Sequence, residues 1–377
     1  MAVKVQVGYT PSQMKVLYRA AIGSVIVLAC ILTIVVANRK NLVEKPFFRE
    51  DLHAFGFPTE SPGRITGNFS NINFLSDDLV LVTVNTRDYG PMGPIIVNGL
   101  LDEPPSELLL FDISQRTLVK RTEMPVEKDA GSVRAIRGDQ FALLNKRGLH
   151  LCSPELKCQL VLVSEGPLFV SPQGTRVAVG GNGQTPQQLL DTTSLKVLDQ
   201  FAWQSPAVIP GDTGLLIRQG EKLNLRFPGK RDQPLPFGGG GVWPEARFLS
   251  DTTVADFESE KALAVARIDG NVLFREPVIA RWRLAELATT ASGTRFCFHE
   301  AGYTVLNSVA NFLDVESSRP YDFESVKVIS VDSGKALFEL QWDPRPFLGY
   351  LTTPALSPDG HRLALIRGGY LEIFAVP

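Results

Sequence analysis

Cysteine and histidine are the first places to look for chemistry, and in this chain they are sparse. Cys152 and Cys158 stand symmetrically about a five-residue turn between two alternating strands, in the stretch LHLCSPELKCQLVL. Opposed hairpin positions bring Cβ atoms close enough for a disulfide, which persists only in an oxidising compartment. Cys297, in RFCF, reads as a buried core thiol. His53, His150, His299 and His361 are scattered singly, with no two at metal-ligand spacing, so neither a metal site nor a cofactor is expected. There is no Gly-x-Ser-x-Gly elbow, Walker loop or dinucleotide fingerprint. The run Gly238, Gly239, Gly240, Gly241 lacks the Lys-Ser/Thr of a phosphate loop and reads as flexible connection. The carboxylates are dispersed, so no acid/base pair can be picked out.

Composition sets the frame for these residues. Apolar residues make up 44% of the chain and charged ones 21%, and the net charge is -2. This is an ordinary globular balance with ample material for a core. No Lys/Arg cluster stands out, which argues against a nucleic-acid partner.

The amino-terminal region has a different character. Residues 20–37 (AAIGSVIVLACILTIVVA) form an uncharged apolar run of 18, flanked by Tyr18 and Arg19 and by Asn38, Arg39 and Lys40. As a helix it would be about 27 Å long, enough to cross a bilayer, and it has no polar face of the kind a water-soluble helix shows. The expected order is a cytoplasmic tail at 1–19, one transmembrane helix at 20–37, a linker at 38–66 and a large domain at 67–377 outside the cytoplasm. Basic residues are nearly balanced on the two sides of the span, and the short tail decides the orientation. Val27-Leu28-Ala29-Cys30 resembles a bacterial lipobox, which would place a lipid on Cys30. The apolar run continues beyond that cysteine, which favours an uncleaved anchor. Either way the membrane is a partner.

The large domain is built from a recurring unit. Its clearest copy is SPDG (Ser357, Pro358, Asp359, Gly360), where Pro presets φ and Gly tolerates a positive φ, followed by the alternating strand RLALI. Degraded copies of the turn fall at Ser76, Gly138, Ser171, Gly211, Ser250 and Ser292. Four of the six intervals are near 40 residues, the length of one four-stranded blade, and the first and last exceed 60. A second hairpin recurs in four stretches, as in LLLFDISQRTLVK, so that two hairpins make up a unit. Seven such units predict an all-β, seven-bladed β-propeller. The last unit has only three strands before Pro377, and a strand near Arg64 to Phe69 is expected to complete it.

The SPDG turn, its weaker copy SPQG (Ser171, Pro172, Gln173, Gly174) and the strands that follow resemble the TolB-like, WD-repeat-like propellers of bacterial envelope proteins. That resemblance implies a binding or scaffolding module on the periplasmic or cell-surface side. The two long intervals locate insertions at 87–106 and 301–322, between the second and third strands of the first and sixth units, hence on one face. Asp88, Tyr89, Arg319, Tyr321 and Asp322 are the candidate binding residues there, for an envelope protein or a small-molecule ligand. The expected function is a membrane-tethered extracytoplasmic propeller that binds without catalysis. The alternative is a propeller-type enzyme, a lyase, glycosidase or quinone-dependent oxidoreductase, with its site assembled across blades.

Overall fold

The computed structural model describes residues 45–57, 66–68, 70–84, 86–88, 106–124, 133–145, 147–180, 186–201, 208–219, 222–227, 230–235, 246–259, 262–278, 284–302, 323–342 and 354–377. The expected span at 20–37 lies outside them. Among the described residues no helix is long and apolar enough to cross a membrane.

Seven four-stranded antiparallel sheets follow one another along the unit Glu44–Pro377, forming a seven-bladed propeller. Five blades are meanders of consecutive strands, and in blade 1 the ribbon strand Thr86–Asp88 intervenes between the second and third. Blade 2, for example, runs Val133–Ala135, Phe141–Asn145, Gly148–Cys152 and Cys158–Leu162. The first strand of each blade is innermost. The second strands do not alternate as expected from the sequence: they are buried on both faces, as in Phe141–Asn145, where all five residues are buried, because each faces a neighbouring blade on either side. Val80, Phe141, Val177, Leu215, Val254, Phe296 and Leu363, at or next to the start of these strands, are at most 6% exposed. Apolar clusters lie between neighbouring blades. Leu81 and Leu110 of blade 1, for instance, pack with Phe141 and Leu143 of blade 2.

The seventh blade is closed by the other end of the chain, but not by the segment around Arg64 to Phe69. The strand Phe48–Asp51 pairs antiparallel with Tyr370–Ala375, in the register Phe48 to Ile373 and Asp51 to Tyr370. The strand therefore falls inside the stretch 38–66 expected to be a linker, and the propeller begins before residue 67. Thr66–Asn68 instead forms a separate two-stranded ribbon with Thr86–Asp88. The physical reason is that an outer strand buries little. In FRED only Phe48 is fully enclosed, so the strand shows almost no hydrophobic alternation.

What holds the clasp comes largely from the turn after it. Leu52 is fully buried and Phe57 nearly so, and with Phe48 they join a cluster shared by blades 7 and 1 that includes Ile72, Phe111 and Ile373. Full burial of such side chains contributes roughly 1.5–3 kcal/mol each. The short 3-10 turn Leu52–Phe55 is capped by Asp51, whose carboxylate accepts the His53 N–H at 2.9 Å. Gly56 ends it at φ 90°. Glu372, buried in the neighbouring strand, takes Arg367 at 2.5 Å and Arg49 of the clasp at 3.4 Å. The Arg49 guanidinium also lies 3.8 Å from the Tyr370 ring centre.

Leu52→Ala in the full chain is expected to lower the unfolding free energy by about 2–5 kcal/mol in a denaturant titration. A loss under about 1 kcal/mol, the scale of an ordinary surface change, would show that this turn does not hold the ring shut.

Candidate functional site

The seven inner strands enclose a central cavity of about 690 Å³ whose rim is made by the turns between first and second strands. Its position follows from the repeat. Each inner strand runs toward one of these turns, so residues at equal distances from the turn form rings around the axis.

One ring carries the chemistry. Moving one pair along from the buried residues that open the second strands, strand pairing places Arg134 opposite Ala142 in blade 2 and Arg247 opposite Ala255 in blade 5. Asn73 (opposite Leu81) and Phe169 (opposite Ala178) hold the same place in blades 1 and 3. The remaining blades supply Ile209, Ala288 and Ala355. All seven line the cavity. Two guanidiniums on well-separated blades therefore share one level of an otherwise mostly apolar channel.

Their surroundings differ. Arg247 donates through Nη1 to the Ala246 carbonyl at 3.1 Å, and its guanidinium lies 5.6 Å from the Phe169 ring centre, a cation–π contact within the channel. Arg134 is half-buried, and Arg137 is exposed at the rim of the same blade. Among the described residues neither of these two side chains forms an ion pair. Two carboxylates also line the cavity, Asp77 and Asp139, both in rim turns. Asp77 is already engaged, since its Oδ1 accepts the Asp359 N–H at 2.9 Å.

The rim is rigid because the blades are stitched together there. Asn73 bridges blades 1 and 2, donating to the Val133 carbonyl at 3.2 Å and accepting the Ala135 N–H at 3.0 Å. The Arg137 N–H reaches the Gly174 carbonyl of blade 3 at 3.3 Å. Asp212 of blade 4 accepts from Ser171 Oγ at 2.6 Å, the Gln173 N–H at 3.1 Å and Thr175 Oγ1 at 2.5 Å. The Thr213 N–H meets Asp251 of blade 5 at 3.0 Å, and Thr289 Oγ1 meets the Leu249 carbonyl at 3.2 Å. Arg295 donates to the Gly360 carbonyl at 3.1 Å, linking blades 6 and 7. Arg362 then pairs with Asp78 at 2.6 Å and bonds the Asp77 carbonyl, joining blade 7 to blade 1. Every junction thus carries a bond on the turn face. Gly293 shows why small residues recur there: φ is +69°, and a Cβ would stand 2.5 Å from the Leu249 carbonyl of the preceding blade.

Asp359 sits in this stitching. Burial opposes ionisation of its carboxyl, but hydrogen bonds from Ser357 Oγ at 2.6 Å and the His361 N–H at 2.9 Å, the nearby His361 ring and Asp77 outweigh that cost. Its pKa is held below the ordinary carboxylate value.

Of the residues expected from sequence to bind, the described residues include only Asp88, whose backbone pairs with Thr66 in the two-stranded ribbon. Tyr89, Arg319, Tyr321 and Asp322 lie outside them. Cys152 and Cys158 are register partners at the hairpin end and form a disulfide, with Cα atoms 4.1 Å apart. Cys297 is a free, fully buried thiol. His299 is also buried, stacked on Trp342 at 5.9 Å with Nε2 3.5 Å from a Glu324 oxygen. Among the described residues no group of three or more His, Cys, Asp or Glu could hold a metal. The channel arginines were missed in sequence, although aligning the repeats on their turns puts Arg134 and Arg247 in one column.

Comparison with protein-family models and with curated proteins returns no match.

A carboxylate with a depressed folded pKa stabilises the fold above its ordinary range and loses that contribution as pH falls through it. Asp359→Asn should therefore melt below the wild type at neutral pH, and the gap should close as pH drops below about 4. A gap of constant size from neutral to acid pH would show that ionised Asp359 does not support the rim.

Proposed function

We propose that this chain is a membrane-tethered, extracytoplasmic β-propeller that binds a ligand without covalent chemistry, in the manner of the TolB-like propellers its turns resemble. The observation that carries the reading is the channel. A cavity of about 690 Å³, walled by inner strands of all seven blades, has the size of a small-molecule site and sits on a scaffold stitched at every junction. It is largely preformed, so little ordering entropy opposes binding. The residues lining it are suited to recognition: apolar walls, a few directed polar groups and guanidiniums at one level.

Two features support the tether and the compartment. Residues 20–37 have the length and uninterrupted apolar character of a span. The Cys152–Cys158 disulfide belongs to chains that fold in an oxidising compartment. On this reading the face bearing the insertions 87–106 and 301–322, with Asp88, Tyr89, Arg319, Tyr321 and Asp322, meets an envelope protein, while the channel takes the small ligand.

Intact cells carrying the full chain provide the test. A membrane-impermeant maleimide should label Cys152 and Cys158 only after reduction, and Cys152→Ser should leave Cys158 labelled without it. Thiols that are free but protected until the membrane is broken would place the propeller in the cytoplasm and remove the envelope reading.

A further inference from the structure

We infer that this chain pairs with a second copy of itself through the outer strand of blade 2, Cys158–Leu162, joined edge to edge about a two-fold axis. The inference concerns the outer rim of the propeller and depends on neither the channel nor the tether.

The outer strand of a blade presents a row of main-chain N–H and C=O groups that its own sheet does not use, a template for another strand. Such edges are ordinarily blunted by charge or by proline. Among the described residues, five of the seven outer strands carry charged side chains, and the sixth, Gln233–Pro234, is two residues long and contains a proline. Cys158–Leu162, reading CQLVL, has neither device. The difference matters most for pairing with an identical strand. Asp199 of blade 3 and Glu339 of blade 6 stand at the middle of their strands, so a two-fold pairing would set each against its own copy. The edge of blade 2 brings no like charges together.

The hairpin shows which main-chain groups face outward. Cys152 and Cys158 are register partners with Cα atoms 4.1 Å apart, the close spacing of a pair that exchanges no main-chain bonds. Toward the turn, the Ser153 N–H then bonds the Lys157 carbonyl at 3.0 Å. Bonding direction alternates along an antiparallel strand, so Cys158 and Leu160 turn their N–H and C=O groups away from the blade while Gln159 bonds inward. A two-fold axis at Gln159 places Cys158 of one copy opposite Leu160 of the other, and each such pair can exchange both main-chain bonds. The register slips by one residue at Val161, as it also does in the outer pairs of blades 1, 3, 5 and 6, so the regular stretch ends at Leu160.

Apolar exposure is concentrated at the same rim. Of the eight large hydrophobic side chains exposed among the described residues, five belong to blade 2 or its neighbour blade 3: Leu160, Val163, Leu195, Val197 and Leu198. Apolar side chains scattered singly need no partner, but a group of them beside an open, uncharged edge has the composition of an interface core. A two-fold contact uses the same patch on both copies, so the apolar rim of one propeller covers that of the other.

The test uses the full chain, purified in detergent without reductant. On mild oxidation Gln159→Cys should form a disulfide-linked dimer, because opposed positions on neighbouring antiparallel strands bring Cβ atoms close enough. Wild type and Leu273→Cys, an exposed apolar position on the outer strand of blade 5, should give only background. Sedimentation equilibrium should show a dimer. Leu160→Lys should weaken it at least tenfold, and Val119→Lys, on the outer strand of blade 1, should leave it unchanged. Leu160 is exposed, so its replacement spares the core; if the lysine variant nonetheless fails to melt cooperatively, the Gln159→Cys cross-link carries the comparison. A dimer unaffected by Leu160→Lys would place the contact elsewhere and overturn the assignment. A chain that stays monomeric at high micromolar concentration, or cross-linking of Leu273→Cys as efficient as that of Gln159→Cys, would overturn it as well.

Discussion

The structure depends on ring closure. A propeller blade has two apolar faces, each covered by a neighbouring blade, so the first and last blades are stable only if they cover each other. Here that contact is made by residues from both ends of the domain. Leu52, Phe57 and Phe48 enter one cluster with Ile72 and Phe111 of blade 1 and Leu371 and Ile373 of blade 7. On the turn face the same junction is bonded by Arg362 to Asp78 and by the Asp359 N–H to Asp77. The apolar contact supplies most of the free energy, because exposed ion pairs such as Arg362 with Asp78 contribute little individually. The polar contacts fix register.

Closure also fixes the geometry of the channel. Seven inner strands converge on the axis at fixed spacing, and bonds between adjacent blades prevent one strand from sliding relative to the next. A side chain placed on an inner strand therefore has a defined height and direction. Arg134 and Arg247 share a ring for this reason, and the Phe169 ring of the same level lies 5.6 Å from the Arg247 guanidinium. Side chains held by such a frame are ordered before any contact is made, whereas groups on long loops must first be ordered.

The sequence was most readable where one residue type has one conformational use. Gly174, Gly293 and Gly360 all adopt positive φ in the repeated turn, so turn spacing alone reveals the blades and their number. The second strands are legible because both faces are buried and the apolar run is unbroken, as in LVLVTV. The clasp was not legible: FRED is an outer strand, where one buried side chain in four residues makes no pattern, while Thr66–Asn68, in the segment expected to close the blade, pairs with Thr86–Asp88. The candidate site was hidden for another reason. Long insertions draw attention as loops, but the channel is made by short inner strands of three or four residues, and its arginines acquire meaning only when seven non-adjacent segments are brought to one axis.

The central claim is that residues 45–57 are an integral strand and turn of the closed ring. Native-state hydrogen exchange tests it most directly, by following the amides of Tyr370–Ala375 that face the clasp. The account predicts that they exchange only with global unfolding, in the same slow class as amides of the inner second strands such as Phe141–Asn145. Fast exchange there, while the other blades stay protected, would mean that the clasp opens independently and that the ring does not depend on it.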